Sequence, residues 1–483
     1  MKKRAKRNAK IVATIGPASS SREVIRELII AGLNVARLNF SHGTHEEHSK
    51  VLKIIREEAV KLGAHIAVLQ DLCGPKIRIT ALKDGEIYLE EGSTVELRHA
   101  LNSEQGDKTK LFIEIFDPSK VVKVGEKVLL ADGRITLLAE KITAEAVICK
   151  VTGSGILRSK AGISVPESDL SLPCLTEKDK IDIKWGMQND IDYVALSFVG
   201  SQEDLRQTRE EMSKYGKPLP LVAKIERAKA LDDVSSIIKN SDAVMVARGD
   251  LGVDLPLERV PGAQRFIISS ANFEGTPVIT ATQMLMSMVE QIRPTRAEVS
   301  DVVTAIRDGT DAVMLSEETA VGKHPVLAIK VLSDIVCEAE REIRIESGKL
   351  NLRHSDRANV SDAICYAACN AAEKISATAI LACTESGLTA KLMAKYRPNQ
   401  PLYGATSQKK SLARMALFWG VEPIYIELDK DAGIESEIRE AMLAIRDNYD
   451  SKPGSRVVVT AGLRTKSTGS TNVMEIREIP RSS

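Results

Sequence analysis

The stretch KIVATIGPASSSREVIRELIIAGLNVARLNF, residues 10–40, sets two short apolar runs on either side of one helix-length segment. KIVATIG (10–16) and NVARLNF (34–40) are rich in β-branched and aliphatic residues and close on polar or small ones, as short buried strands do. SSREVIRELIIAG (20–32) between them is amphipathic and long enough for a helix. Strand, helix and strand in this order predict a parallel pair joined by a helical crossover.

The same alternation recurs in IAVLQDL (66–72), YVALSF (193–198), LVAKIE (221–226), AVMVARG (243–249), PVITATQM (277–284) and AVMLSEE (312–318). Helix-length segments such as TRAEVSDVVTAIRDG (295–309) lie between most of them. Eight such units predict a (β/α)8 barrel, whose chemistry gathers at the C-terminal ends of the strands. The alternation breaks once, between the third and fourth runs. EIYLEEGSTVELRH (86–99) and VGEKVLLADGRITLLAEKITAEAVICKVTGSG (124–155) alternate with the period of strands and hold no helix-length pattern. They predict a small β-barrel inserted at 75–170 as a lid over the active face, so that the barrel domain comprises 1–74 and 171–343. From 344 to 483 a helical stretch leads to ATAILACT, PLYGAT, VEPIYIEL and RVVVTAG, which predict an open α/β domain. Two of its strand ends run into TESGLTA (384–390) and TKSTGSTN (465–472), loops of small hydroxyl residues suited to phosphate.

Composition excludes several classes. The 483 residues carry a net charge of only +1, so no global field draws nucleic acid or an acidic membrane. Aromatic residues are 4% of the chain, too few for base-stacking platforms. No apolar stretch approaches the roughly 20 residues that span a bilayer. The basic opening MKKRAKRNAK reads as a solubilising tail. Seven scattered cysteines without metal-type pairs predict a reduced, cytoplasmic chain, with Cys365 and Cys369 as small buried thiols on one helix.

The strand ends together offer Arg37, Asn39, Ser41, His42, Asp71, Lys224, Glu226, Arg248, Asp250, Thr282, Gln283, Ser316 and Glu318. Glu226 and Asp250 on neighbouring strands, with no His or Cys beside them, suit a hard cation such as Mg2+. Arg37 adds a bidentate phosphate binder and Lys224 a point charge on the same side of its strand as Glu226. Such a set serves phosphoryl transfer, which needs charge dispersed more than covalent chemistry.

KIVATIGPASSS, NVARLNFSHGTHEEH, AKIERAKAL, MVARGDLGVDLP, VITATQMLMSM, RPTRAEVSDV and AVMLSEETA resemble the pyruvate kinase family over essentially the whole chain. The resemblance implies transfer of a phosphoryl group from phosphoenolpyruvate to ADP, giving pyruvate and ATP. It implies Mg2+ or Mn2+ held by Glu226 and Asp250 and a second ion arriving with the nucleotide near Arg78 and His42. It assigns the phosphoryl group to Arg37 and Lys224, and the substrate carboxylate to the Gly249 backbone, Asp250 and Thr282. Enolate protonation would run through Thr282, Ser316 and water, although a threonine hydroxyl is too weak an acid to be the final proton source. A homotetramer is implied as well.

Departures from the family pattern carry their own expectations. K+-requiring members hold the ion with residues matching Asn39, Ser41 and Asp71 and the carbonyl of Leu72, within DTKGPE. This chain reads DLCGPK (71–76), which resembles the K+-independent branch, with Lys76 supplying the cation. Cys73 falls where relatives often have lysine and has no base or metal partner in the pattern. Gly74 and Pro75 read as the hinge into the lid. Glu317 and Val321 also depart from the family, with Lys323 two residues beyond the second. TESGLTA lacks the two cations of bisphosphate-binding loops, since Glu385 and Leu388 stand there. Thr384, Ser386, Gly387 and Thr389, with Arg464 and Lys466 opposite, therefore predict activation by a monophosphate such as AMP or a sugar monophosphate. Two readings compete: another phosphoenolpyruvate-using barrel, and an inactive paralogue kept as a sensor.

Overall fold

The computed structural model describes residues 7–102, 104–168, 173–347, 359–428, 433–449, 452–462 and 471–481. Eight parallel strands close into a barrel: β1 (Lys10–Thr14), β2 (Val35–Asn39), β3 (Ala67–Asp71), β4 (Tyr193–Leu196), β5 (Leu221–Ile225), β6 (Ala243–Ala247), β7 (Val278–Ala281) and β8 (Ala312–Leu315). Every residue of β1, β3, β5 and β6 is buried, because helices cover the outside and side chains fill the inside. The strands stop short of the apolar runs. Their last residues, including Glu226, Arg248 and Gly249, begin the loops and helix starts of the C-terminal face.

Local signals place the helices around the barrel. Ser21 accepts the Val24 amide ahead of the helix Arg22–Ala31, which ends at Gly32 with φ 114°. Thr44 and Thr295 open the helices His45–Leu62 and Arg296–Asp308 with reciprocal capping boxes, each to the glutamate three residues on.

The insertion leaves β3 and returns before β4. It contains a six-stranded sheet built from Thr94–His99, Lys110–Ile113, Lys127–Leu130, Ile135–Ile142, Ala146–Gly153 and Ile163–Ser164. Glu86–Leu89 pairs separately with Gly155–Arg158. Backbone bridges Arg78–Gly162 and Ile79–Ile113 tie the incoming chain to both edges of the larger sheet. The sheet therefore curls around Ile79, Val95, Leu97, Leu111, Val128 and Leu137, a core of its own.

The C-terminal module is a five-stranded sheet, β9 (Ala379–Cys383), β10 (Leu402–Thr406), β11 (Val421–Tyr425), β12 (Arg456–Ala461) and β13 (Val473–Glu478), in the order β11-β10-β9-β12-β13. Four strands were expected. The fifth, antiparallel β13, escapes the apolar-run signal because its residues are only partly buried or exposed. Leu412, Met415 and Phe418 of this module share one apolar cluster with the barrel-interior residues Val12, Leu69, Met245 and Ile279. Lys10, at the start of β1, donates to the Val421 carbonyl, and Tyr193, at the start of β4, donates to that of Arg414. The module thus plugs the N-terminal end of the barrel and leaves the C-terminal end open to the lid.

Candidate active site

Between lid and barrel lies a cleft of ≈ 390 Å3, lined by Lys76, Asp132 and Gly162 on one side and by Phe198, Glu226 and Asp250 on the other. From Glu226 in its wall a chain of paired charges runs into the barrel mouth. Asp71, fully buried at the end of β3, accepts Arg37 Nε at 2.5 Å and lies 3.1 Å from Lys224 Nζ. Lys224 also reaches Glu226 Oε1 at 2.9 Å and donates to Ser197 Oγ at 2.7 Å. Arg37 Nη1 donates to Thr14 Oγ1 at 2.8 Å, so its guanidinium is fixed from two sides. Strands β2, β3 and β5 and the residue after β5 thus hold two cations and two carboxylates within direct contact.

The electrostatics follow from burial and pairing. Burial would raise the Asp71 carboxyl, but Lys224 and Arg37 overcome it and hold it below the ordinary carboxylate range. Burial would lower the Lys224 ammonium, yet Asp71 and Glu226 keep it above its usual value, so it stays charged. Glu226 is pushed up, chiefly by burial, with the Asp250 carboxylate adding to the shift against the pull of Lys224. Two carboxylates, Glu226 and Asp250, at one cleft wall are a donor set for a divalent cation.

Asp250 sits in the first turn of the helix Arg248–Asp254. The Gly249 amide donates to Thr282 Oγ1 at 2.7 Å, so the structure brings together the two groups expected at a substrate carboxylate. Thr282 and Gln283 both take positive φ, 70° and 54°, an arrangement that costs a β-branched residue about 1–3 kcal/mol and clusters at functional sites. Ser316 is held by its own amide, which donates to the buried Glu318 carboxylate at 2.7 Å, and the other Glu318 oxygen accepts the Leu285 amide at 3.0 Å. The pair fixes the β7 and β8 loops relative to each other.

The remaining expected residues divide into those that face the cleft and those engaged elsewhere. Lys76 Nζ lies 3.1 Å from Asp132 of the lid and 4.0 Å from Asp250 of the barrel. Asn39 pairs with Asp71 across β2 and β3, and its Oδ1 accepts the Ser41 amide at 3.1 Å. The Leu72 carbonyl accepts Ser197 Oγ at 2.7 Å. His42 is exposed, and its carbonyl meets His48 Nε2 at 3.0 Å. Arg78 is exposed on the lid and donates to the Lys160 carbonyl at 2.9 Å. Arg248, grouped by sequence with the strand ends, is a clamp instead: it pairs with Asp301 at 2.6 Å and donates to the Thr282 carbonyl at 2.7 Å. Lys323 pairs with Glu290 at the surface, 2.5 Å away.

In the C-terminal module, Thr384 Oγ1 accepts the Gly387 amide at 3.0 Å, and Gly387, with φ 88°, leads into the helix Leu388–Lys395. Thr389 Oγ1 meets Thr471 Oγ1 at 2.6 Å, and Ser386 is exposed. Arg464 and Lys466 lie outside the described residues.

Three groups at the barrel face were not singled out by sequence. Thr14 orients Arg37, Ser197 bonds Lys224, and the Phe198 amide donates to Glu226 Oε2 at 2.7 Å from a backbone with φ 57°. The only sequence signal for the last two is that SF closes the apolar run YVALSF.

Residues 6–329 match the model of the pyruvate kinase barrel domain, and residues 362–477 match that of the pyruvate kinase alpha/beta domain. A Clostridium acetobutylicum protein named pyruvate kinase is 38% identical over 97% of this chain and 99% of its own length. Pyruvate kinases of Geobacillus stearothermophilus and Staphylococcus aureus are each 40% identical, over 98% and 97% of this chain and 81% and 80% of their own. No helix among the described residues is long and apolar enough to cross a membrane. With this barrel, this inserted lid and this strand-end network of charges, the chain belongs to the pyruvate kinase family of phosphotransferases.

Proposed function

We propose that the protein transfers the phosphoryl group of phosphoenolpyruvate to ADP with Mg2+, independently of K+, and that a monophosphate bound to the C-terminal module activates it. The observation that carries the transfer is the paired set Arg37, Asp71, Lys224 and Glu226, preorganised at the mouth of the barrel. Arg37 and Lys224 grip the phosphoryl group in flight, and the Gly249 amide and Thr282 receive the carboxylate. Glu226 and Asp250 would hold the divalent ion. Two carboxylates, with no third His, Cys, Asp or Glu completing a metal cluster among the described residues, fit an ion that takes its remaining ligands from substrate and water. When bound, that ion neutralises charge on the transferring group. The Phe198 amide keeps one Glu226 oxygen occupied and so orients the other toward the cleft and Lys224. Arg78 and His42 are assigned to the nucleotide, with Thr282 and Ser316 relaying the proton to the enolate.

K+ independence rests on Lys76, whose ammonium reaches into the cleft beside Asp250. A unit charge at about 4 Å contributes up to about 4 kcal/mol at an effective dielectric of 20, and less for a side chain that is partly solvated as this one is. The groups matching K+ ligands are also engaged within the protein: Asp71 by two cations, the Leu72 carbonyl by Ser197 and Asn39 by Ser41. Activation by a monophosphate rests on the hydroxyls and amides of Thr384, Ser386, Gly387 and Thr389 at a helix start. A homotetramer, which the family resemblance implies, accords with the exposed Phe266 and Phe273 on one barrel helix.

A lactate dehydrogenase-coupled assay with phosphoenolpyruvate, ADP and Mg2+ tests the whole reading. Pyruvate formation is expected to require ADP and to proceed at full rate with tetramethylammonium as the only monovalent cation. Lys76→Glu is expected to lose about 10- to 100-fold in that buffer, with K+ restoring part of it. A wild-type rate raised tens-fold by K+ would remove the role given to Lys76. A response to fructose 1,6-bisphosphate alone among the effectors would remove the monophosphate site.

A further inference from the structure

Ser197, 2% exposed, lies between the transfer centre and both chain connections into the lid. Its Oγ receives a hydrogen bond from Lys224 Nζ and gives one to the Leu72 carbonyl, each at 2.7 Å. An ammonium can only donate and a carbonyl can only accept, so the direction of both bonds is fixed by chemistry. Two residues beyond Leu72, Gly74 packs so closely, at φ 67°, that a Cβ there would stand 2.8 Å from Ser197 Cβ. The returning connection arrives at the same residue: the Cys174 thiol donates to the Ser197 carbonyl at 3.1 Å. The hinge that leaves the barrel and the chain that comes back are therefore both fastened to the residue that touches Lys224.

Three groups surround the Lys224 ammonium: the Asp71 and Glu226 carboxylates, as ion-pair partners at 3.1 and 2.9 Å, and Ser197 Oγ, which takes its hydrogen bond at 2.7 Å. A phosphoryl oxygen can engage this lysine only by displacing one of them. The contacts to carboxylates are charge-assisted and about twice as strong as one to a neutral hydroxyl, so Ser197 is the partner that is given up. Once Lys224 turns to the phosphoryl group, the Leu72 carbonyl is no longer linked through Ser197 to Lys224, while the Leu72 amide stays on the Ala195 carbonyl at 3.0 Å.

We propose that Ser197 is a positioning residue that couples the lid to the transfer centre: it fastens the incoming hinge to Lys224 in the empty enzyme and releases it when a substrate phosphoryl oxygen takes its place. The proposal rests on the reading of Lys224 as the residue that grips the phosphoryl group. It requires no titration and no added reactant, only exchange of one hydrogen bond for another.

The test is amide hydrogen exchange at Gly74 and Lys76, with and without phosphoenolpyruvate and Mg2+, in the wild type, Ser197→Ala and Cys174→Ala. Wild-type hinge exchange is expected to change on substrate addition. In Ser197→Ala the rate should be altered already in the empty enzyme and insensitive to substrate. Its kcat should fall about tenfold while KM for phosphoenolpyruvate moves less than about threefold, the split expected when orientation rather than binding is lost. Cys174→Ala loosens the Ser197 backbone but keeps the hydroxyl, and should behave as the wild type does. A substrate response that persists in Ser197→Ala overturns the proposal, as does an equal loss in Cys174→Ala, which would reduce the effect to local packing. Should the alanine variant fail to fold, Ser197→Cys keeps the size and weakens the bond, and a weakened substrate response is then expected, an unchanged one overturning the proposal. Failure of the wild type to make ADP-dependent pyruvate overturns the functional reading, while the hinge response of wild type against variant still decides the coupling.

Discussion

The two ends of the molecule at which phosphate chemistry is proposed are built from opposite materials. At the barrel mouth, Asp71, Lys224 and Glu226 are buried and Arg37 is partly buried, and each has at least two partners. At the TESGLTA loop the groups proposed for phosphate are hydroxyls and backbone amides, with the Glu385 side chain exposed, arranged by a local turn around Gly387 and by the contact of Thr389 with Thr471. The difference teaches how each site is held in place. Charges can stay dry only by pairing, so the transfer centre is fixed by residues far apart in sequence and stands ready before substrate arrives. A loop without buried charge needs no such network, and apart from the Thr389–Thr471 contact its geometry is set by a few consecutive residues.

The comparison breaks most sharply at Lys224. Lys224→Met removes the cation from two buried carboxylates, Asp71 and Glu226, and from the proposed phosphoryl path. The variant is expected to lose about a thousandfold in kcat, as preorganised electrostatic groups do on removal. It should also lose about 3–5 kcal/mol of stability, because breaking a buried pair strands charge in a dry site. Steady-state rates and urea midpoints check both. A variant with wild-type stability would mean that Asp71 and Glu226 find other partners and that the network is not the rigid element described.

How much of this was legible in the sequence depends on whether a residue announces itself alone. The eight barrel strands did, because strands buried on both faces read as unbroken apolar runs. Lys224, Glu226 and Arg37 did too, as charges inside such runs. Arg248 did not: the helix begins at that residue, and successive positions turn by about 100°, so it points away from Asp250 and toward Asp301. Ser197 and the Phe198 amide were invisible because a serine at a strand end has many uses, and a backbone amide has no sequence signature at all. The pairing of Asp71 with two cations, from β2 and β5, is a product of barrel closure, which no local pattern encodes.

At the loop, the corresponding break is Gly387→Ala. A Cβ at φ 88° is strained, and it would stand 3.3 Å from Met415 and 3.4 Å from Phe418. The change is expected to cost about 1 kcal/mol in loop geometry. Because the turn is local, this should appear as a shift of the monophosphate activation curve to several-fold higher concentration, read at sub-saturating phosphoenolpyruvate. A large drop in the urea midpoint, comparable to that of Lys224→Met, would show that the two regions are not built on different principles after all.

The smallest effect separates buried charge from buried neutrality within the barrel itself. His48 stacks on Phe40 at 4.2 Å, directly behind the loop that carries Ser41 and His42, and bonds the His42 carbonyl. Burial pushes its imidazole below the ordinary histidine range. The His42 carbonyl, Asp182 and Glu47 pull the other way, and the nearby His45 adds to the lowering. The folded protein therefore binds fewer protons at this site than the unfolded chain, so stability rises with pH in the window below about 6.5 and levels off above it. As pH falls through that window the neutral ring must take up a proton in a poorly solvated place, and the contribution is lost. This is opposite in kind to Lys224, which keeps its proton throughout. His48→Phe preserves the stack and removes the titration. Urea midpoints at pH 7.5 and 5.5 should differ less in the variant than in the wild type. His65, also lowered by burial, is present in both proteins and supplies the same residual slope to each. An equal pH dependence in His48→Phe would show that folding leaves the titration of the ring unchanged, and a larger one that the ring holds its proton in the folded enzyme, placing a positive charge behind the His42 loop where a neutral donor is assigned.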